Sequence, residues 1–121
     1  MKLYHYSDKE LKIIEVKHFA ENPYSFNEKK SSSIERSFFY LEQKPKEHHL
    51  VNAKYCYIVN VDNGKLYDLR EDKEGLKVKY QNNTEGLLEH LKVNYLGAIY
   101  NVGFDIAILF YDVQAIAKMY H

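Results

Sequence analysis

Six histidines, one cysteine and 17 aspartates and glutamates are the side chains with which this chain could do chemistry. The histidine with the most telling surroundings is His5, in the stretch LYHYS. Alternate residues of a strand share a face, so Leu3 and His5 look one way and Tyr4 and Tyr6 the other. Leu3 turns His5 inward. An inward imidazole needs a hydrogen-bond partner, because an unsatisfied polar group costs about 1–3 kcal/mol. Two readings are open: a core histidine tied to a backbone carbonyl, or a histidine at the floor of a ligand cleft.

The other groups point to less. His48 and His49 are adjacent, so on a helix they diverge by about 100° and do not share an ion. No H-x-x-x-H, no C-x-x-C and no carboxylate–histidine pair at ligand spacing occurs, and no metal is expected. Five glycines leave little room for a phosphate-cradling loop. Cys56 sits inside the apolar run YCYIV, where a thiol packs as a small hydrophobe rather than serving as a nucleophile.

These groups have to be positioned by strands, for the most part. KLYHY (2–6), a short run from Leu11 to Val16, SFFYL (37–41) and KYCYIVNV (54–61) read as β segments. DNG at 62–64 signals a hairpin, with KLYDL (65–69) as its return strand. LGAIY (96–100) and DIAILFYD (105–112) form a second hairpin, and the continuous apolar run of the latter predicts a strand covered on both faces. TEGLLEHLKVNY (84–95) carries leucines at helical spacing behind a Thr cap, with Gly86 weakening its first turn. A short helix over 44–54 and a helical turn or two in the final DVQAIAKMY complete the reading. The polar stretch 21–37 is expected to be a functional loop beside a cleft. Strands with a few helices make an α+β chain, a single domain over 1–121.

Composition narrows the function classes. Lys+Arg and Asp+Glu are both 17, so no basic stripe favours nucleic acid as a tightly held ligand. No signal peptide and no run of transmembrane length is read, so no membrane partner and a cytoplasmic location are expected. Twelve tyrosines against six phenylalanines and no tryptophan supply apolar rings with polar tips, suited to cleft walls.

Three separated pieces, LYHYS, SFFYLEQ and YLGAIYNVGFDIAILFYDVQAI, stand in an order that resembles the ADP-ribosyltransferase superfamily, especially its compact bacterial and phage members. Those chains carry a first strand of the form L-Y-H-G-[ST] and an aromatic strand of the form G-F-Y-L-T. They end on G-Y-D-G-I followed by a hydrophobic strand and V-F-D-P-x-Q-I. The resemblance implies two small facing β-sheets with a central cleft for NAD, the co-substrate. It implies that His5 bonds the adenosine ribose, that the main chain of Tyr6, with Ser7 beside it, holds the nicotinamide carboxamide, and that Tyr40, with Phe39 beside it, stacks on the nicotinamide ring. Breaking the nicotinamide–ribose bond passes through an oxocarbenium-like state, which a nearby carboxylate stabilises.

The chain departs from that pattern at three places. Tyr6 and Phe38 replace glycines, and Ala107 stands where the family's catalytic glutamate is expected. Asp68 and Asp105 are the candidate replacement acids, Asp105 lying two residues from Ala107 on the same alternating face; Glu85 is a third. The expected function is ADP-ribose transfer from NAD to a macromolecular target. A host protein is the implied target, with the chain as a phage or mobile-element effector. The rival expectation is a degenerate member of that fold that binds NAD, a nucleotide or a protein partner without turnover.

Overall fold

Strand β1 (Lys2–Ser7) forms over the stretch whose alternation predicts it, and it becomes the hub of the sheet. The computed structural model describes residues 1–16, 34–45 and 50–121. The other elements are β2 (Ile13–Ile14), β3 (Ser37–Tyr40), β4 (Tyr55–Asn60), β5 (Leu66–Asp68), α1 (Leu76–Lys79), α2 (Thr84–Asn94), β6 (Gly97–Asn101), β7 (Asp105–Leu109), β8 (Val113–Gln114) and β9 (Ala117–Tyr120). Seven strands form one sheet in the order β5-β6-β7-β3-β1-β4-β9, and β2 pairs with β8 in a two-stranded ribbon. The β5–β6 pair is parallel, and all others are antiparallel. This is a small, mixed, sheet-rich α+β domain with few helices.

The sheet bends back on itself, and chain length forces it to. Strands β4 and β5 stand five positions apart, about 24 Å in a flat sheet. The chain from Asn60 to Leu66 can span at most about 21 Å, and the 3₁₀ turn at Asn63–Lys65 shortens it further. The two ends of the sheet must therefore curl toward each other. Leu66, Ile99, Ala107 and Leu109 from one half accordingly share a buried core with Leu3, Tyr57 and Val59 from the other. Ile14 of the ribbon packs into the same concave core. The convex side is covered by helix α2, whose Leu88 and Leu91 pack on Phe38, Tyr40, Ala98, Ile106 and Ile108.

Several expectations change. The two facing sheets of the expectation are instead two facing halves of one seven-stranded sheet, joined by the single pair Tyr4↔Tyr40. DNG does not close a hairpin: Asp62 caps the 3₁₀ turn, accepting from the Gly64 N–H at 3.0 Å, and β5 leaves to pair with β6. The final segment is not helical. Ala117–Tyr120 pairs antiparallel with β4, giving that strand its outer hydrogen-bond partner. The second hairpin forms as β6 and β7, turning through Gly103 at φ 100°. Helix α2 is capped by Asn83 rather than Thr84; its side chain accepts from the Gly86 N–H at 3.0 Å. A Cβ at position 86 would meet the Asn83 amide at 2.5 Å, so Gly86 permits the cap instead of merely weakening the turn. Residues 21–33 of the polar loop and 46–49 of the segment expected to be helical lie outside the described residues. No helix among the described residues is long and apolar enough to cross a membrane.

Candidate functional site

The junction of β1 and β3 is built from main-chain direction. His5 Nδ1 lies 2.8 Å from the Phe38 carbonyl, which only accepts, so Nδ1 carries the proton and that carbonyl points at β1. Along a strand, the N–H and C=O of successive residues turn to opposite sides. Phe38 and Tyr40 therefore direct their main chains at β1. On β1, the carbonyls of Met1 and Ser7 accept from Val61 and Lys54, which turns the odd residues toward β4. Tyr4 and Tyr6 consequently turn their main chains toward β3.

The ladder between these strands stops early. Tyr4 pairs with Tyr40, and Tyr6 with Phe38 would come next, but the pairing ends after the first. The imidazole of His5 takes the Phe38 carbonyl that a continuing ladder would use. The result is a parted seam, with His5 in it and the main chain of Tyr6 directed across it. His5 thus has the backbone carbonyl partner of the core reading, while it remains half-buried at a break in the sheet.

Side chains divide sharply across this seam. His5 shares the concave face with Leu3 and stands 5.4 Å from the Phe39 ring. Tyr6 and Tyr40 lie on the convex face, their rings 5.7 Å apart. Tyr40 is 3% exposed and packs against Phe104 at 5.6 Å, with the Lys44 ammonium over its ring at 5.5 Å. The structure does not bring the side chains of Tyr40 and His5 together. Phe39, 1% exposed, is the aromatic residue that accompanies His5. The Tyr6 hydroxyl accepts from the Lys44 N–H at 2.6 Å, and burial pushes its pKa up to about 12. Ser7 is occupied locally: its Oγ accepts from the Lys9 N–H at 3.1 Å.

The candidate acids do meet. Pairings across the sheet put Asp68, Ile99, Ala107 and Phe39 in one row, and extending the Tyr4↔Tyr40 register by one residue aligns Phe39 with His5. All of them occupy the concave face. Ala107 sits two strands from His5, fully buried. Asp105 lies two residues further along β7, about 7 Å from Ala107 along the strand.

Arg70 joins the two acids. Its Nε and Nη2 donate to Asp68 Oδ1 and Oδ2 at 2.9 and 2.8 Å, and Nη1 reaches Asp105 Oδ2 at 3.1 Å. Asn101 Nδ2 donates to Asp105 Oδ1 at 3.1 Å. The Arg70 hydrogen bonds hold the Asp68 carboxyl below the usual carboxylate range, and the Asp68 carboxylate raises Arg70 in return. Two carboxylates and one guanidinium leave a net charge of one negative unit. Glu85 is elsewhere, in the first turn of α2 on the convex side.

Sequence reasoning missed Arg70, although Asp68-x-Arg70 at the end of a strand places both on one face. It also missed a network on the helix side. Glu74 accepts a short hydrogen bond from the Tyr95 hydroxyl and lies 4.0 Å from His90 Nε2, while His90 Nδ1 meets the Tyr80 hydroxyl at 3.1 Å. These residues come together only through the packing of α1 and α2, which no local pattern announces. No family model matches the chain, and neither a curated protein nor a solved structure does.

Proposed function

We propose that this chain binds NAD at the parted β1–β3 seam and transfers its ADP-ribose to a macromolecular target, a host protein if the chain is a phage or mobile-element effector. The observation that carries the reading is the end of the ladder after Tyr4↔Tyr40, with the Tyr6 main chain directed across the seam beyond it. A carboxamide offers one acceptor and an NH₂ donor side by side. It can therefore pair with the N–H and C=O of one strand residue as a neighbouring strand would. Nicotinamide is a carboxamide, and the resemblance assigns its site to this same residue.

In the reaction, the bond between nicotinamide nitrogen and ribose C1′ breaks, and its electron pair neutralises the pyridinium. A nucleophile of the target bonds to C1′ and gives up a proton. The positive charge that develops on the ribose is favoured by the net negative Asp105–Arg70–Asp68 group on the concave face, with Asp105 the nearer acid to His5 along the sheet. Of the two neighbours on β3, Phe39 rather than Tyr40 has its ring on that face.

A second reading, binding without turnover, is favoured by the buried methyl group of Ala107 and by the engagement of both acids with Arg70. One experiment separates the two. The protein is titrated with NAD by calorimetry and then incubated with labelled NAD and cell lysate. Labelled protein together with released nicotinamide supports transfer. Binding without nicotinamide release supports the second reading, and no binding at millimolar NAD overturns transfer and leaves the second reading only with a nucleotide or a protein partner as its ligand.

A further inference from the structure

We propose that the outer edge of β9 pairs with the same edge of a second copy of this chain, joining two sheets into one across a two-fold axis. β9 stands last in the seven-strand order, and among the described residues no strand lies beyond it. The direction of its main chain follows from the His121 N–H, which donates to the Lys54 carbonyl at 3.0 Å. Successive residues turn their N–H and C=O to opposite sides, so Ala117, Met119 and His121 face β4. Lys118 and Tyr120 turn theirs outward. A row of main-chain donors and acceptors at a sheet edge is a template for another strand.

Lysines commonly guard an edge of this kind, but Lys118 is drawn away from it. Its Nζ donates to Glu10 Oε1 at 2.8 Å and stands 5.0 Å from the centre of the Tyr55 ring on β4. The ammonium therefore leans back over β4 and leaves the main chain beside it open. Tyr120 shares the concave face with Lys118 and is 79% exposed, its ring 5.7 Å from that of Tyr55. Met119 lies on the other face, half-buried, with its sulfur 3.3 Å from Gln43 Nε2. A formal net charge of zero sets no long-range repulsion between two copies.

An antiparallel pair of identical edges has to match outward residues with outward residues. Lys118 opposite Lys118, or Tyr120 opposite Tyr120, engages only one outward residue of each β9, and the former also sets like charges opposite each other. The remaining register engages both: Lys118 meets Tyr120 of the second copy, and Tyr120 meets its Lys118. Each of these pairs exchanges two main-chain hydrogen bonds. The Tyr120 ring of one copy then covers the methylene stem of Lys118 in the other. Met119 falls opposite itself in a non-hydrogen-bonded pair, where side chains come closest and two thioethers pack readily. So short an edge buries less than the about 1,200 Å² of a standard interface, and the dimer is a weak one that forms with rising concentration. It stands on the sheet edge alone and does not need the NAD reading.

The test is sedimentation velocity over a concentration series up to about 1 mM, the weak end of specific association. The wild type shifts from one chain toward two. Along the same series the Lys118 and Tyr120 amides gain protection from hydrogen exchange, while the Met119 amide, already turned to β4, does not change. Tyr120→Pro removes an outward N–H and the ring without touching a bond to β4, and weakens association at least about tenfold. Met119→Lys and Met119→Glu, each shown by melting to be folded, sediment as single chains. Their equimolar mixture pairs again, because residue 119 meets its own copy in this register. A wild type that stays a single chain at the highest concentration, whatever other strand its edge accepts, overturns the proposal. So does a dimer whose Lys118 and Tyr120 amides stay unprotected, or a mixture that associates no better than its parts.

Discussion

Strands β1 and β3 serve two regions of different character. On the concave side, His5 and Phe39 lead through Ala107 to charged groups at the rim of the core, Asp68, Arg70 and Asp105. On the convex side, Tyr4, Tyr6, Phe38 and Tyr40 pack under Leu88 and Leu91 as an aromatic and aliphatic layer. Neighbouring residues of one motif therefore face opposite regions. A run such as LYHYS or SFFYL cannot bring all its side chains to one ligand. What it can offer in one place is alternate side chains on one face, together with a main chain where pairing lapses.

The largest effect that probes this division is at Tyr40. Truncation of an aromatic side chain this deeply buried costs about 3–5 kcal/mol, so Tyr40→Ala lowers stability in urea by that amount. A Tyr40→Ala protein as stable as the wild type, with NAD binding alone lost, would move Tyr40 to the ligand side. His5→Ala comes next. It removes the donor that reaches the Phe38 carbonyl and costs about 1–3 kcal/mol by the same assay.

The smallest effect belongs to Arg70, whose ion pairs are partly open to solvent. The folded-state pKa of Asp68 is depressed, chiefly by the hydrogen bonds from Arg70. Its contribution to stability is complete above the ordinary carboxylate range, near pH 4, and is lost as pH falls through the lowered value. Arg70→Met is thus about 1 kcal/mol or less below the wild type at pH 7. The difference shrinks in acid, as paired melts between pH 7 and pH 3 would register. A gap that widens in acid would assign the pair the opposite role.

Where the sequence was legible, local physics decided the outcome. The alternation of β1, the apolar run of β7 and the leucine spacing of α2 each specify an element from within, and each forms. DNG misled because a strong turn signal is silent about which strand follows it. Asp62 satisfies the turn as a 3₁₀ cap, and β5 finds its partner at the other end of the sheet. The last strand was read as helical because its pairing with β4 lies in residues about 60 positions away. The concave grouping of His5, Asp105 and Asp68 was partly legible from alternation. Arg70 between the acids and His121 beside Tyr6 were not, since bending of the sheet and the long-range pairing of β9 with β4 assemble them.

The central claim is that the Tyr6 main chain forms the ligand-binding edge of a parted sheet. Its most direct test is the Tyr6 amide resonance in a ¹⁵N–¹H spectrum of the wild-type protein titrated with NAD, and separately with nicotinamide. The account predicts saturable shifts of the Tyr6 and His5 amides with both ligands, while amides of α2 stay in place. Unmoved Tyr6 and His5 amides at millimolar NAD, or shifts confined to the helix side, would contradict it.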